Sequence, residues 1–403
     1  MENSIFRPAD ILIPKAADMR AWSVIACDQF TSEREYWDRV RSLVGDSPST
    51  LNMIVPEAHL SDEPALDAAR RASAAMEEYL AGDIFTLFRD SYIYVERTVT
   101  GGVRNGVVGM IDLEKYNFQY DAKTPVRSSE RTVAERLPAR MLIRDCAALE
   151  LPHSLLLIND KEKSVIEPLG EKRASLPVVY DFDLMEGGGH ITGRLIEGEA
   201  ARELSERFDS LPGYPKFIVG DGNHSLAAAK ELWNKLRAGL SPEEIENHPA
   251  RFALCEVNNV YDNGIRFEPI HRIMFGIDPW KLYDEMREKL ESPDGREVTV
   301  VIGGERVGKV RLKGRSFGKM VDIMQEVLEE YESVYEGTLD YIHDEESLIA
   351  LTEAEESLGI LMPTIEKRDL FETVSRDGVF PKKSFSIGHA RDKRYYLECR
   401  KIR

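Results

Sequence analysis

The sequence predicts a mixed α+β fold, and three observations predict it. Glycine-containing turns join two pairs of β-rich segments, as in antiparallel hairpins. Residues 216–239 combine a short apolar strand, a glycine-flanked turn and a strong helix without interruption. Helical and β-rich segments are distributed over all 403 residues, and no low-complexity tract or solenoid repeat interrupts them. We therefore expect helices packed on a sheet that contains antiparallel pairs.

The first half of the chain mixes antiparallel pairs with helices. An acidic start, helical spacing of Ala and Leu and a following glycine predict a helix over 61–80. Apolar residues recur at helical period over 131–149, before an apolar strand at 154–158. The two predicted hairpins pair 91–97 with 106–113, and 177–184 with 190–198. Each helix is expected to bury one face against these strands.

The second half begins with the strand, turn and helix at 216–239 and changes character after Phe275. Ser241 and Glu244, with a proline between them, predict a capping box at the start of a short helix. Further predicted elements are a strand at 252–260, helices at 279–290 and 319–331, a charged hairpin at 297–314 and a final strand pair across 390–402. We expect a main α/β domain over 1–275 and a C-terminal α/β subdomain over 276–403 packed on it.

Composition narrows the class of protein. With 53 basic and 71 acidic residues, the net charge of -18 disfavours nucleic acid as the main partner. The four cysteines are scattered without a CxxC pair, which favours reduced thiols. No run of 18 apolar residues occurs, so no membrane partner is expected and the cytoplasm is the expected location. The sequence is compatible with a homo-oligomer.

The turn after the strand at 216–220 carries the strongest chemical signal. A glycine-flanked turn at a helix start presents backbone N–H groups and the positive end of the helix dipole, which together favour an anion. Asp221 could hold a metal ion, and His224 could contact a phosphate or act as acid or base. The alternative is that Asp221 and Ser225 only cap the helix. The turn consists of Gly220, Asp221, Gly222, Asn223, His224 and Ser225.

Basic residues elsewhere could bind the same anion. His271 and Arg272 stand side by side, and Lys382 and Lys383 are expected at the start of a strand. Exposed loop positions and an edge-strand guard are the alternatives for these pairs. Arg136 and Arg140 lie one turn apart on a predicted helix, where a solvated face is the alternative.

Acidic residues near the N-terminus could supply a general base. Asp28 ends an apolar run, and Glu33 and Glu35 follow at the start of the next helix. Helix-start chemistry is the alternative, with Ser32 as cap and Glu35 completing a capping box. The motifs of P-loop, dinucleotide-binding, zincin and serine-hydrolase sites are absent from the sequence.

Five motifs in order resemble the bacterial family called domain of unknown function 1015. They are FRPADILIP, ACDQFTSEREYW, DGNHS, VNNVYDNGIRFEPIHR and VFPKKSFS with KRYYLECRKI, and they span nearly the whole chain. That family is similar, through an Asp-Gly-His-His-Arg turn, to the ParB/sulfiredoxin-like group, which includes free-serine kinases that use ADP or ATP. The resemblance implies a ParB/sulfiredoxin-like core elaborated by hairpins.

The resemblance also implies residue roles. Asp221, Gly222 and His224 would take the phosphates and Mg²⁺, and Glu33 or Glu35 would be the base for the substrate hydroxyl. The sequence departs from the kinase turn at Asn223 and Ser225, where the kinases have His and Arg. The lost guanidinium would need a replacement such as Arg272 or Lys383.

Three functions follow as hypotheses. The first is a phosphotransferase that uses ATP or ADP with Mg²⁺ and acts on a small hydroxy compound such as free serine. The second is a non-catalytic nucleotide- or metabolite-binding module, which the departures at Asn223 and Ser225 favour. The third is a metal-dependent small-molecule hydrolase or lyase using Asp221, His224 and His271 around one ion.

Overall fold

The computed structural model describes residues 4–15 and 18–403, and within them the fold is mixed α/β. The described strands are β1 Phe6–Arg7, β2 Ala9–Pro14, β3 Phe85–Val99, β4 Gly102–Asp112, β5 Tyr116–Asn117, β6 Val126–Ser128, β7 Leu149–Glu150, β8 Leu155–Ile158, β9 Val178–Asp183, β10 His190–Ile196, β11 Phe217–Asp221, β12 Phe252–Asn259, β13 Phe267–Pro269, β14 His271–Phe275, β15 Glu291–Ile302, β16 Glu305–Leu312, β17 Thr338–Ile342, β18 Ser357–Leu361, β19 Phe385–Ile387 and β20 Arg400–Lys401. The described helices are α1 Met19–Trp22, α2 Arg34–Val44, α3 Ala65–Ala81, α4 Leu137–Cys146, α5 Glu167–Glu171, α6 Gly198–Ser210, α7 Asn223–Arg237, α8 Pro242–Asn247, α9 Pro279–Leu290, α10 Phe317–Tyr335, α11 Glu345–Leu351 and α12 Lys367–Arg376.

The main sheet has eleven strands among the described residues. Its central path runs β5-β6-β11-β8-β12-β4-β3-β10-β9, with β1 beside β4 and β2 beside β3. β6 and β11 are parallel, whereas β11 and β8 are antiparallel. The residues that follow β6 and β11 therefore meet the residues that precede β8 at one edge of the sheet. The candidate site lies at this edge.

β11 is buried on both faces because it lies between two cores. Phe217 and Val219 pack in the core formed with α6 and α7, whereas Ile218 packs in the core formed with α9, α10 and α12. Alternate residues of a strand point to opposite faces of the sheet, so one apolar run serves both cores. This packing fixes the end of β11, where Asp221 lies.

A second sheet of five strands, in the order β16-β15-β18-β14-β17, forms the C-terminal part of the chain. All of its described pairings are antiparallel. The helix predicted at 279–290 agrees with α9, and the charged hairpin agrees with β15 and β16. The capping box of Ser241 and Glu244 forms at the start of α8, as predicted.

The predicted final strand pair across 390–402 is wrong. Residues 390–392 form a short 3₁₀ turn, and β20 pairs with β7 instead of with its own neighbour in sequence. Tyr395, Tyr396 and Leu397 are all buried in the core of the main sheet, whereas a two-faced strand would expose alternate residues. The segment crosses the interior and makes single bridges from Tyr395 to Ile25 and from Cys399 to Leu12. The domain boundary near residue 276 stays a proposal, with these last residues packed on the N-terminal side.

Two predicted helices are shorter than expected. The helix predicted at 61–80 begins only at Ala65, and α4 occupies Leu137–Cys146 of the predicted range 131–149. A 3₁₀ turn over Ala134–Arg136 precedes α4. Residues 131–133 are therefore not helical. They lie against α7, where they contribute to the candidate site.

Candidate functional site

The turn between β11 and α7 forms as the sequence predicts, with Gly222 in the left-handed region at φ 74°. A Cβ atom at Gly222 would lie 2.7 Å from the Ser154 hydroxyl and 2.9 Å from the Ser154 Cα, so only glycine fits without movement. No side chain caps α7, and the Asp221 carboxylate accepts a hydrogen bond only one residue away, from the Gly222 N–H at 2.9 Å. Asp221 and Ser225 therefore do not cap the helix, so the alternative interpretation of this turn is wrong. The first turn of α7 keeps the N–H geometry of an anion site.

Gly220 has a packing role in the same turn. A Cβ atom at Gly220 would lie 2.5 Å from the Ile387 Cδ1 and 3.0 Å from the Leu157 Cδ1. The absence of a side chain thus lets β19 pack closely on β11. This contact brings the C-terminal segment that contains Lys382 and Lys383 to the site.

Lys393 supplies a positive charge at Asp221. The two charged groups are 3.2 Å apart, and the Lys393 side chain is 10% exposed. The Lys393 ammonium also donates a hydrogen bond to the Ser386 hydroxyl at 3.0 Å. A cation at this position was expected from Arg272 or Lys383 as the replacement for the missing arginine of the turn. The fold supplies Lys393 as well, from a segment that the sequence did not mark as functional.

Asn223 holds the segment that follows β6. Its amide oxygen accepts a hydrogen bond from the Ser129 N–H at 3.2 Å, and its amide nitrogen donates to the Ser129 hydroxyl at 3.1 Å. Glu130 comes next in the chain, beside Asp221. The side chain that departs from the kinase turn thus has a positioning role here.

Glu130 is a half-buried carboxylate enclosed by backbone N–H groups of residues 383–385. Its Oε1 accepts a hydrogen bond from the Ser384 N–H at 3.2 Å. Burial raises the pKa of Glu130 to about 7, and the charge of Asp221 adds to the effect, while the three N–H groups oppose it. Glu130 therefore exchanges a proton near neutral pH, as a general acid or base requires.

His224 is neutral at physiological pH. Burial, with the nearby charges of Arg140 and Arg136, lowers the pKa of His224 to about 4. Its Nε2 accepts a hydrogen bond from the Val133 N–H at 3.1 Å. The side chain thus anchors residues 131–133 to α7, and Nε2 is already used.

Arg140 approaches the turn from α4, and Arg136 approaches it from the 3₁₀ turn before α4. Both influence the charge state of His224, and Arg140 also forms an ion pair with Glu57. The Arg140 side chain is half-buried, so Arg140 is not part of a fully solvated helix face. The two guanidinium groups add positive charge beside the start of α7.

Asp28 joins the site from the N-terminal segment. Burial opposes its ionisation, but His153, a hydrogen bond from the Gln29 amide and the charges of Lys393 and Arg140 together hold the pKa of Asp28 below its usual range. The nearest His153 nitrogen is 3.8 Å from the carboxylate, and the other ring nitrogen is 2.8 Å from the Tyr396 hydroxyl. Asp28 is thus an ionised carboxylate held among basic groups.

Glu33 and Glu35, the predicted bases, are exposed at the start of α2. Glu35 contributes its backbone carbonyl to Arg39 at 3.3 Å, and no side-chain cap forms at Glu33. Within the described part of the chain, the hydrogen bonds and ion pairs do not connect either carboxylate with the turn. Their catalytic role stays a prediction.

His271 and Arg272 lie on β14 and are buried, so the exposed-loop alternative does not hold for either. His271 Nδ1 accepts a hydrogen bond from the Met362 N–H at 3.0 Å. Arg272 stacks on Tyr341 with 5.3 Å between the guanidinium carbon and the ring centroid. Burial lowers the pKa of Arg272 to about 10, while Tyr341 and Glu130 favour its charged form. Arg272 is thus close enough to Glu130 for their charges to interact.

Lys382 and Lys383 precede β19 and are both exposed. Lys383 has a φ of 60°, and its backbone N–H is one of the three that face Glu130. Two roles are thus combined in this segment, because the backbone holds Glu130 while the lysine side chains stay in solvent. Their contact with a phosphate stays a prediction.

Across residues 4–15 and 18–403, no three side chains of His, Cys, Asp or Glu are arranged to hold a metal ion. The ion site of Asp221, His224 and His271 is accordingly not formed by these side chains alone. Over the same described residues, no helix is long and apolar enough to span a membrane. Cys27 is an unfavourable nucleophile, because burial raises the pKa of its thiol to about 11.

Comparison with known proteins identifies the family. Residues 7–363 match the model of the family described as protein of unknown function DUF1015. The chain belongs to this family. No curated protein matches the DUF1015 chain.

Solved structures resemble the DUF1015 chain at low identity. A free serine kinase in complex with AMP is 14% identical, with a TM-score of 0.39, and covers 73% of this chain and 91% of its own. A conserved hypothetical protein from Pyrococcus furiosus is 14% identical, with a TM-score of 0.37, and the match covers 72% of this chain and 93% of that one. SbnI from Staphylococcus aureus, truncated at its C-terminus, is 8% identical, with a TM-score of 0.38 and coverage of 70% and 82%.

Sequence reasoning missed three members of the site. Lys393, His153 and Glu130 come from separate segments, and each has an ordinary local sequence. Glu130 had one weak signal, since it lies two residues after the end of the short strand β6. Lys393 begins the family motif KRYYLECRKI, but its approach to Asp221 depends on how the last residues cross the main sheet, and His153 had no signal.

Proposed function

We propose that the protein is a nucleotide-dependent phosphotransferase that moves a phosphoryl group from ATP or ADP to a small hydroxy compound such as free serine. The observation that carries this proposal is the uncapped N-terminus of α7 with Lys393 beside it. A ParB/sulfiredoxin-like core is part of the same proposal. Metal-dependent hydrolysis lacks comparable support among the described side chains.

The phosphates would bind at the start of α7. Backbone N–H groups of the first helical turn point along the helix axis, and the helix dipole adds partial positive charge. Lys393 and Arg140 add full charges from two other segments. Such fixed groups stabilise the charge that spreads over the phosphoryl oxygens during transfer.

Mg²⁺ would bind through Asp221 and the nucleotide phosphates. This ion commonly uses only one or two protein carboxylates together with phosphate oxygens and water. Asp221 fits that role because its carboxylate is 26% exposed and lies at the helix start where the phosphates are proposed to bind. When bound, Mg²⁺ neutralises phosphate charge and orients the transferred group.

Asp28 is the base that the geometry favours. An ionised carboxylate can accept the proton of the substrate hydroxyl while the hydroxyl oxygen attacks the terminal phosphorus. The new P–O bond forms as the bond from phosphorus to the bridging oxygen breaks, and the nucleotide leaves with one phosphate fewer. Glu33 and Glu35, from the same segment, remain the alternative bases.

Ligand binding is tested by thermal shift. We expect ADP or ATP with Mg²⁺ to raise the melting temperature of the wild-type protein, because a ligand that binds only the folded state stabilises it. Asp221→Asn and Lys393→Met should remove most of this rise, whereas Lys15→Met, which changes an exposed lysine elsewhere, should not. No shift with any nucleotide would overturn the proposal.

Catalysis is tested by the transfer of labelled phosphate to serine and to other small alcohols. Asp28→Asn should lower kcat by about 10²–10⁴-fold with little change in nucleotide affinity. Glu33→Gln and Glu35→Gln serve as matched controls and should keep activity. Loss of activity in either control, with Asp28→Asn active, would move the base to that glutamate. Nucleotide binding without any transfer would favour the non-catalytic binding module.

A further inference from the structure

A mostly apolar cavity of about 130 Å³ adjoins the proposed phosphate site. Ser225 and Ala228 of α7 form one wall. These residues are three apart and so share a helix face, and Ser225 belongs to the first turn. A ligand whose phosphates lie at the start of α7 can therefore extend into the cavity.

The far wall of the cavity is built from side chains that are apolar and mostly buried. They come from α3, α4 and the segments before and after them: Met53, Ile54, Val55, Met76, Ile143, Leu149 and Leu151. Met53 and Met76 are 1% and 2% exposed. Thioether groups make favourable contacts with aromatic rings and adapt to their shape.

Polar groups near the cavity mostly have partners within the protein. Arg144 pairs with Glu150 at 2.7 Å, and Arg140 pairs with Glu57. The Tyr396 hydroxyl is hydrogen-bonded to His153 at 2.8 Å. Burial of a strongly polar group here would leave that group or a wall atom without a partner, which costs free energy. The cavity is suited to the face of a flat ring whose polar edge is directed toward the mouth.

The cavity size agrees with one ring. An engineered apolar cavity of about 150 Å³ in another protein binds benzene. The cavity is also partly open to solvent, so a second ring or a sugar could remain at the mouth. A small aliphatic side chain would fill the space less completely and would not use the two methionines as fully.

We infer that this cavity binds the base of the nucleotide, with a ring of the base between the apolar walls of α3, α4 and α7. The inference rests on the proposed function, because that proposal places the phosphates at the start of α7. The base adds affinity through buried apolar area and sulfur–aromatic contacts.

The experiment compares ADP with inorganic pyrophosphate, both with Mg²⁺, by titration calorimetry on the full-length protein. Pyrophosphate contains the phosphate groups but no base. We expect ADP to bind the wild type at least about tenfold more tightly than pyrophosphate. Equal affinities would overturn the inference and leave the phosphate site intact. Binding of neither probe would overturn the proposed function and this inference together.

A variant that narrows the cavity provides the second arm. Ile143→Trp should reduce the affinity for ADP to about that for pyrophosphate, while pyrophosphate affinity stays unchanged. Leu142→Trp is the matched control, because Leu142 is also half-buried on α4 but does not line the cavity. If Ile143→Trp does not fold, Ile143→Phe replaces it with a smaller ring. Unchanged ADP affinity in a folded cavity variant would overturn the inference.

Discussion

The backbone at Gly222 decides the direction in which α7 leaves β11. Its φ of 74° is strained for any residue with a Cβ, and Ser154 occupies the space where that atom would lie. A Cβ at Gly222 would therefore add both backbone strain and a steric clash. At Gly213 only the backbone strain is present, because its φ is 85° and no atom lies within 4 Å of the position that a Cβ would take.

We expect Gly222→Ala to lower the free energy of unfolding by about 2–4 kcal/mol, because backbone strain and the clash with Ser154 add. Gly213→Ala should cost about 1–2 kcal/mol, from backbone strain alone. Urea denaturation of both variants measures the difference. Equal losses would show that Ser154 moves away freely.

Glu130 makes stability depend on pH. Its pKa in the folded protein is raised to about 7, mainly by burial, so the folded state binds a proton that the unfolded state has already released. Folding therefore favours the protonated form of Glu130. The contribution of this protonation to the free energy of unfolding is lost as pH rises from about 4.5 to about 7.

We expect the free energy of unfolding of Glu130→Gln, relative to that of the wild type, to increase by about 1–3 kcal/mol as the pH rises over this range. The glutamine stays neutral at every pH, whereas the wild-type carboxylate becomes charged. Urea denaturation at pH 5 and pH 8 measures the change. A stability difference that does not vary with pH would contradict the raised pKa.

At the scale of the element, α4 brings positive charge to the start of α7. Arg140 lies on α4, and Arg136 lies in the 3₁₀ turn that leads into this helix. Their charges contribute, after burial, to the low pKa of His224. The same charges would attract phosphate at the site.

We expect Arg140→Gln to raise the pKa of His224 from about 4 toward its ordinary value, because one nearby cation is removed. Titration of the histidine ring protons by NMR measures this shift. Arg71→Gln changes an exposed arginine of α3 and should leave the His224 pKa unchanged. No shift in Arg140→Gln would mean that burial and Arg136 keep His224 neutral without Arg140.

At the scale of the whole molecule, the last residues of the chain connect the site with the main sheet. Arg394 is 5% exposed and lies next to Lys393. Its guanidinium donates to Glu256 at 2.9 Å, to Glu398 at 2.8 Å and to the Pro152 carbonyl at 2.8 Å. Arg394 thus fixes both Lys393 and the segment that contains His153.

We expect Arg394→Met to lower the free energy of unfolding by about 3–5 kcal/mol, because the buried Glu398 loses its cation and the buried Glu256 keeps only Arg104, at 3.8 Å. Arg89→Met removes an exposed arginine whose pair with Asp10 is 3.5 Å long, and should cost less than about 1 kcal/mol. Guanidinium denaturation compares the two variants. A small loss in Arg394→Met would show that Glu256 and Glu398 find protons or water instead.

The sequence by itself determined the elements whose signals are local. The turn at Gly222 needs a left-handed residue, the capping box of α8 needs Ser241 and Glu244, and α9 follows from its periodicity and its proline. The five ordered motifs likewise determined the family, which the match over residues 7–363 confirms. Each of these depends on residues that are close in the chain.

Only the tertiary structure decided which titratable groups meet at the turn. Asp28, Glu130, His153 and Lys393 are separated by more than a hundred residues in places, and they meet because β6, β8 and β11 are neighbours and because the C-terminal segment crosses the main sheet. The same crossing turned the expected last hairpin into an interior segment. Electrostatic interactions act through space, so periodicity and motif spacing along the chain could not have specified them.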